Sequence, residues 1–272
     1  MKEDLLSGQL ISLRRGLSLQ VSHQKGNTPA LVFIHGGLGN RYNLRCQYEF
    51  FAQKGQQVLA YDLAGHGQST PYPRYSIGRH QRDLTRLLNH FQIKSPILCC
   101  HSYGVPIGLE WAKNHQASAL ILIAGGTHDL APWWEIPLMK FLAWGGRYFY
   151  HFKLIQQLTN RLSSPQMTEI LERFLNECPV PTNFEPYKAL EIFWGYNFFA
   201  RYNSPIEFQI PVLVISGGQD SMFTQSMGEE LASHFTQGQQ LHLPQAGHLV
   251  IAEYPEIVNE AICNFLNKLN NN

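Results

Sequence analysis

The fold of this chain is decided by the stretch Ile97-Leu98-Cys99-Cys100-His101-Ser102-Tyr103-Gly104-Val105-Pro106. A short apolar run of strand length stops within it, and a segment of helical character begins immediately afterwards. Ser102 lies at the junction with a glycine two places later, close to the G-x-S-x-G pattern of a nucleophile elbow. Such a turn exposes the serine hydroxyl, and the helix N-terminus that follows offers N–H donors to a negative charge. By itself the pattern fits either a catalytic serine or an ordinary strand-to-helix turn.

Cys100 stands where this pattern has its first glycine. Strand and helix approach closely there, so a small side chain is required, and cysteine is larger than glycine but still compact. Cys99 and Cys100 both precede the apex of the turn. We therefore expect them to point into the packing around the strand and do not predict either as the nucleophile.

Composition limits the possible functions. The chain has 272 residues, of which 44% are hydrophobic and 15% charged, and its formal net charge is +1. This length suits one large domain or a domain with an insertion. A near-neutral charge predicts no nucleic-acid partner, and no apolar run reaches the roughly 18 residues of a transmembrane segment. Five irregularly spaced cysteines and an N-terminus unlike a signal peptide favour a reducing compartment, so we predict a cytoplasmic protein.

Buried strands alternate with helices along most of the chain, which predicts a parallel sheet covered by helices. The exception at the start is an antiparallel edge pair over 9–15 and 17–23. The later strands are predicted over 30–34, 57–61, 97–101, 119–124, 212–216 and 240–243, with helices ending near 54 and spanning 77–91, 228–235 and 254–269.

This alternation stops between residues 127 and 205. The segment is helical in character and contains about half of the aromatic residues and four of the five tryptophans. We predict a helical lid over 127–205 between two parts of one core, 1–126 and 206–272. Most of these aromatic side chains are expected to form the lid's own core. A minority, represented by Trp144 and Trp194, is predicted to line a substrate pocket together with Gly36.

A nucleophilic serine needs a histidine base, and the base needs an acid to orient it. Asp220 follows the strand over 212–216, and His248 follows the strand over 240–243. Both therefore lie at the carboxyl ends of parallel strands, in the chain order Ser, Asp, His. The alternative interpretations are an Asp220 that stabilises a turn and a His248 that caps a helix or lies on the surface.

An attacked carbonyl also needs backbone N–H donors for its developing negative charge, each worth about 3 kcal/mol. The predicted donors are Tyr103, directly after the serine, and Gly37 in the sequence His35-Gly36-Gly37 after the strand over 30–34. The glycines also fit a simple tight turn.

Together, His35-Gly36-Gly37-Leu38-Gly39, the segment Asp62–Ser69, the Ser102 elbow, Gly217-Gly218-Gln219-Asp220 and Gly247-His248 resemble the α/β-hydrolase superfamily. The resemblance is to its lidded esterase- and lipase-like branch and covers nearly the whole chain outside the lid. It implies a mostly parallel eight-stranded sheet, a Ser102–His248–Asp220 triad, and neither a metal nor an organic cofactor.

The resemblance leaves two questions open. Some relatives take their acid after the strand that ends at Ala124, so Asp129 is the rival to Asp220. The predicted activity is hydrolysis of esters or thioesters of hydrophobic acyl groups, with a small ester-type substrate as partner. The alternative is a receptor-like member that binds a hydrophobic ligand with little turnover, because Cys100 could tilt the serine away from the N–H donors.

Overall fold

The computed structural model describes residues 4–37, 39–126, 137, 165–177 and 209–270. Eight strands form one sheet in the order β1-β2-β4-β3-β5-β6-β7-β8. Only the pairs β1–β2 and β2–β4 are antiparallel, and all the other neighbours are parallel. The predicted fold class is therefore confirmed. The strands are β1 (Gln9–Arg14), β2 (Leu17–Gln24), β3 (Asn27–Ile34), β4 (Gln56–Tyr61), β5 (Ile97–His101), β6 (Ala119–Ile123), β7 (Val212–Gly217) and β8 (Gly238–Leu243).

Helices cover both faces of this sheet. The described helices are a 3-10 turn (Arg41–Leu44) and α1 (Arg45–Gln53), α2 (Ile77–His90), α3 (Gly104–Ala112), α4 (Pro165–Glu177), α5 (Gln225–Ser233), α6 (Val250–Glu253) and α7 (Pro255–Asn270). Among these, none is long and apolar enough to cross a membrane.

Two hydrophobic clusters lie on opposite faces of the sheet because successive side chains of a strand point to opposite sides. In β5, Leu98 and Cys100 belong to the cluster under α2, α3 and α5. Ile97 and Cys99 belong to the cluster under α1 and α7. The buried parts of the central strands are mostly apolar because both of their faces are covered.

Most of the predicted boundaries lie within two residues of the observed ones. The largest differences, of three residues each, are at β3, which begins at Asn27 rather than Ala30, and at α5, which begins at Gln225 rather than near Gly228. Thr224 caps this helix, since its hydroxyl accepts a hydrogen bond from the Met227 N–H. The cap adds nearly one turn, residues 225–227, in which only Met227 packs against the core.

Candidate active site

Ser102 occupies the left-handed region of backbone conformation, with φ of 50°. A non-glycine residue seldom adopts this conformation and is held there by its surroundings. The Ser102 N–H donates to the Ile123 carbonyl at 2.9 Å, and the Val105 N–H donates to the Ser102 carbonyl at 2.9 Å. A Cβ atom on Gly104 would lie 2.5 Å from the Ile34 carbonyl oxygen, so only glycine permits this approach of α3 to β3. The turn is therefore the sharp elbow that the sequence pattern predicts.

Cys100 fits at the elbow because α3 has a glycine opposite it. A Cβ atom on Gly108 would lie 2.4 Å from the Cys100 sulfur, so the thiol occupies the space of a missing side chain. Cys100 is fully buried, and burial raises the pKa of its thiol well above the ordinary value. The thiol therefore stays protonated and unreactive in the interior.

The structure brings Ser102, His248 and Asp220 together in one hydrogen-bonded chain. His248 Nε2 is 3.0 Å from Ser102 Oγ, and His248 Nδ1 is 2.8 Å from Asp220 Oδ2. The other carboxylate oxygen of Asp220 accepts the N–H groups of Met222 and Phe223 at 2.8 and 3.1 Å. Because the ionised carboxylate only accepts hydrogen bonds, His248 carries its proton on Nδ1 and leaves Nε2 to accept from the serine.

The backbone around His248 is held by two buried or partly buried side chains. The Glu253 carboxylate accepts the Gly247 N–H at 2.6 Å and the Leu249 N–H at 3.2 Å. On the elbow side, His101 Nε2 lies 3.0 Å from the His248 carbonyl oxygen and donates to it. These contacts fix the loop on both sides of His248, so its ring is positioned before any substrate binds.

The loop after β3 lies against the elbow. A Cβ atom on Gly36 would lie 3.3 Å from Ser102 Cβ, and one on Gly37 would lie 3.4 Å from Tyr103 Cβ. His35 Nε2 accepts the Leu63 N–H at 2.9 Å, so the ring proton is on Nδ1, which donates to the Gly36 carbonyl at 2.7 Å. The C=O and N–H of a trans peptide point in opposite directions. The Gly37 N–H therefore points away from His35.

Asp62 belongs to the scaffold behind this loop. Its buried carboxylate pairs with Arg41 at 2.8 Å and accepts the backbone N–H groups of Arg41 and Gln68 at 2.8 and 2.9 Å. Burial raises the pKa of this carboxyl, and the adjacent Arg41 guanidinium opposes the shift. The network ties the loop after β4 to the 3-10 turn and places no acid next to Ser102.

Four buried histidines surround the elbow. Burial is the main cause that lowers the pKa of His35 to about 4 and the pKa of both His66 and His101 to about 3. It also lowers the pKa of His80 well below its ordinary value. The His80 ring lies 3.3 Å from the Tyr103 hydroxyl oxygen, so this cluster supports the residue that follows Ser102.

Because these four histidines are buried, we expect the free energy of unfolding to decrease in mild acid. Each is neutral in the folded state, whereas in the unfolded chain it binds a proton below a pKa of about 6.5. The free energy of unfolding is therefore highest above that pH. It decreases as the pH falls, and at pH 6.0 the decrease is about 0.8 kcal/mol per histidine. For the four histidines together, the free energy of unfolding measured with urea should be about 3 kcal/mol lower at pH 6.0 than at pH 7.5.

One variant and one control separate this effect from the rest of the protein. Asp62 and Asp83 have the opposite effect on the free energy of unfolding. Burial raises the pKa of their carboxyls, so protonation in acid favours the folded state at these two positions. His80→Gln should reduce the pH 7.5-to-6.0 difference by about 0.8 kcal/mol. His90→Gln removes an exposed histidine and should reproduce the wild-type difference. An unchanged difference in His80→Gln contradicts the prediction.

Helix α4 is the described part of the predicted lid. Its residues Ile170 and Phe174 are buried against Leu249, next to His248, and its last residue, Glu177, pairs with Arg45 at 3.1 Å. Trp144, Trp194 and Asp129 lie outside the described residues. The lid over 127–205 and the pocket-lining roles of Gly36, Trp144 and Trp194 stay predictions.

Within the ranges 4–37, 39–126, 165–177 and 209–270, no group of three or more His, Cys, Asp or Glu side chains is arranged to hold a metal ion. Three residues that hold the backbone near Ser102 and His248 could not be predicted from the sequence: His35, His101 and Glu253. His35 and His101 lie inside the quoted motifs, but only the structure shows which groups their rings contact.

A family model described as alpha/beta hydrolase fold matches residues 29–255. The chain is 26% identical over 270 residues to 3-oxoadipate enol-lactonase 2 of Acinetobacter baylyi, covering 96% of this chain and 95% of that protein. It is 24% identical over 280 residues to an sn-1-specific diacylglycerol lipase of Mus musculus, covering 96% and 89%.

Solved structures share the same fold. The crystal structure of the enol-lactonase from Burkholderia xenovorans LB400 superposes with a TM-score of 0.77 at 22% identity, and the match covers 95% of this chain and 100% of that chain. Esterase-, lipase- and lactonase-like relatives of this kind support a hydrolase activity. The chain belongs to the α/β-hydrolase fold family.

Proposed function

We propose that this chain is a serine hydrolase that cleaves carboxylic esters or thioesters of hydrophobic acyl groups. The observation that carries the proposal is the continuous hydrogen-bonded chain from Ser102 Oγ through His248 to Asp220, at 3.0 and 2.8 Å. The strained backbone of Ser102 adds support, because strain of this kind is retained at functional sites.

The proposed reaction has two halves. His248 Nε2 accepts the Ser102 proton as Oγ bonds to the substrate carbonyl carbon, and the carbonyl electron pair moves onto oxygen. When the tetrahedral intermediate collapses, the leaving group takes the proton from His248 and departs as an alcohol or thiol. Water then attacks the acyl-enzyme with His248 as base, which releases the acid and restores Ser102.

The oxyanion is proposed to bind the N–H groups of Gly37 and Tyr103. Support comes from the packing of Gly37 against Tyr103 and from the orientation of the Gly36–Gly37 peptide by His35. His35 is then a positioning residue, since it acts through the peptide and does not touch the substrate. Asp220 is proposed to keep the proton on His248 Nδ1.

The ester class is supported by the named activities of two relatives. A lactone is a cyclic ester, and a diacylglycerol carries acyl esters, so both named activities open a carboxylic ester bond. The receptor-like alternative depended on a tilt of Ser102 caused by Cys100. Because Gly108 leaves room for the Cys100 thiol, Ser102 Oγ is still within hydrogen-bonding distance of His248.

The direct test is labelling with a fluorophosphonate probe followed by peptide mass spectrometry. The wild type should be modified on Ser102, and Ser102→Ala should not react. Cys100→Ala is the matched control and should still be labelled, because the buried thiol is not the nucleophile. Two outcomes would contradict the proposal. The first is a wild-type protein that is folded by circular dichroism but never reacts with the probe, and the second is labelling that persists in Ser102→Ala.

A second measurement defines the substrate. A series of p-nitrophenyl esters from acetyl to palmitoyl, run beside acyl-CoA thioesters and lactones, gives kcat/KM for each acyl group and each bond type. We expect kcat/KM to be higher for medium or long acyl chains than for acetyl, because each buried methylene contributes up to about 0.8 kcal/mol.

A further inference from the structure

A cleft away from the Ser102 motifs concentrates positive charge. It lies between the end of β1, the loop 71–73 and one face of α2, and its volume is about 380 Å³. We name it the arginine cleft, and the side chains that define it are Arg14, Tyr72, Arg79, Arg82, Asp83 and Arg86. Its size falls within the range of small-molecule sites, near the lower end.

The sequence builds this charge from two stretches. Arg79, Arg82 and Arg86 are spaced three and four residues apart, which places them on one face of α2. Arg14 faces them from the end of β1. Residues 5–48 contain no Asp or Glu, and residues 63–109 contain only Asp83. Four guanidinium groups therefore share one carboxylate, an excess of three positive charges (4 − 1).

Two of the four arginines already contact other groups of the protein. Arg86 pairs with Asp83 at 3.0 Å, and the Tyr72 hydroxyl donates to the same carboxylate. Arg79 donates to the Arg74 carbonyl at 2.8 Å, and its guanidinium carbon lies 5.7 Å from the Tyr72 ring centre.

Arg14 and Arg82 behave differently. Both are exposed, and within the part of the chain that the structure describes neither guanidinium group forms a hydrogen bond or an ion pair of 4 Å or less. Four guanidinium groups around one cleft with a single carboxylate among them raise the electrostatic energy of the folded state. A bound anion removes that cost.

We propose that the arginine cleft binds a small molecule that carries a diphosphate or two phosphate groups. The planar guanidinium fork matches phosphate oxygens in a two-point contact, and four such groups suit a ligand with several negative charges rather than a single carboxylate. Leu17, Pro71 and Pro73 form an apolar wall beside the arginines, which suits a ring or hydrocarbon attached to the phosphates. The charge is local, since the whole chain carries only +1.

Titration calorimetry with sodium pyrophosphate at low salt tests the site. The wild type should bind one equivalent saturably, and added sodium chloride should weaken the affinity because charge attraction is screened. Arg79→Gln/Arg82→Gln should bind at least about tenfold more weakly. Lys94→Gln/Lys268→Gln removes the same charge from exposed residues outside the cleft and should change the affinity less than about twofold.

Three further arms complete the test. Ser102→Ala should bind pyrophosphate as the wild type does, so the result is independent of the proposed hydrolase function. Arg82→Gln and Arg14→Gln alone guard against a folding defect in the double variant. Phosphatidylcholine vesicles with and without 20% phosphatidylinositol phosphate identify the source of the phosphates. If the protein sediments with the charged vesicles and the arginine variants do not, the ligand is a lipid headgroup. If the protein binds pyrophosphate but does not sediment with these vesicles, the ligand is a free phosphate compound. No saturable binding of either probe, or equal weakening by both double variants, overturns the proposal.

Discussion

Ser102→Ala is expected to lower kcat for p-nitrophenyl ester hydrolysis by about 10⁶-fold, and His248→Ala by a similar factor. The two groups act as one unit, because Oγ becomes a nucleophile only when Nε2, 3.0 Å away, accepts its proton. The double variant should therefore be no slower than either single variant, whereas independent contributions would multiply.

The remaining activity should still exceed the rate in water about 10³-fold, since the oxyanion donors and the binding site are intact. Ser226→Ala changes an exposed serine outside the site and is expected to keep wild-type rates. Steady-state kinetics on purified variants with matched melting temperatures give the comparison. Multiplicative losses in the double variant would show that Ser102 and His248 do not work as a pair.

The core of the fold could be predicted, and Ser102, Asp220 and His248 could be selected as candidates, because both rest on local patterns. The run Ile97–His101 is apolar at every position except the last, which fits a strand covered on both faces. Ser102 follows it directly, Asp220 lies three residues after β7, and His248 lies five residues after β8. Local patterns of this kind survive in a single sequence because each is specified by a few adjacent residues.

Long-range contacts could not be predicted in this way. His101 contacts the His248 carbonyl across 147 positions of sequence, and no spacing rule connects the two. The exchange of space between Cys100 and Gly108 is visible only once β5 and α3 are packed. The sequence pattern alone therefore leaves open a tilt of Ser102 caused by the Cys100 side chain.

The arginine cleft was missed for a different reason. The net charge of the whole chain, +1, predicts no nucleic-acid partner. That total averages a face rich in arginine against acids located elsewhere, so it says nothing about local potential. The three arginines of α2 become a site only when Arg14 of β1 comes into contact with the same cleft.

Asp220→Asn is expected to lower kcat about 10⁴-fold while the protein remains folded. The backbone N–H groups of Met222 and Phe223 both donate to Oδ1, so an asparagine will place its carbonyl oxygen there and turn its NH₂ toward His248. An NH₂ group facing Nδ1 forces the ring proton onto Nε2, where it blocks acceptance of the Ser102 proton.

The same replacement at the rival acid supplies the matched control. Asp129→Asn makes an identical chemical change after β6 and should alter kcat less than about twofold if Asp220 is the acid. Probe labelling should also become slow in Asp220→Asn and stay fast in Asp129→Asn, because labelling depends on the same proton transfer. A large loss in Asp129→Asn together with a small one in Asp220→Asn would transfer the acid to Asp129. The contact of Asp220 with His248, at 2.8 Å with the Asp220 side chain fully buried, favours the first result.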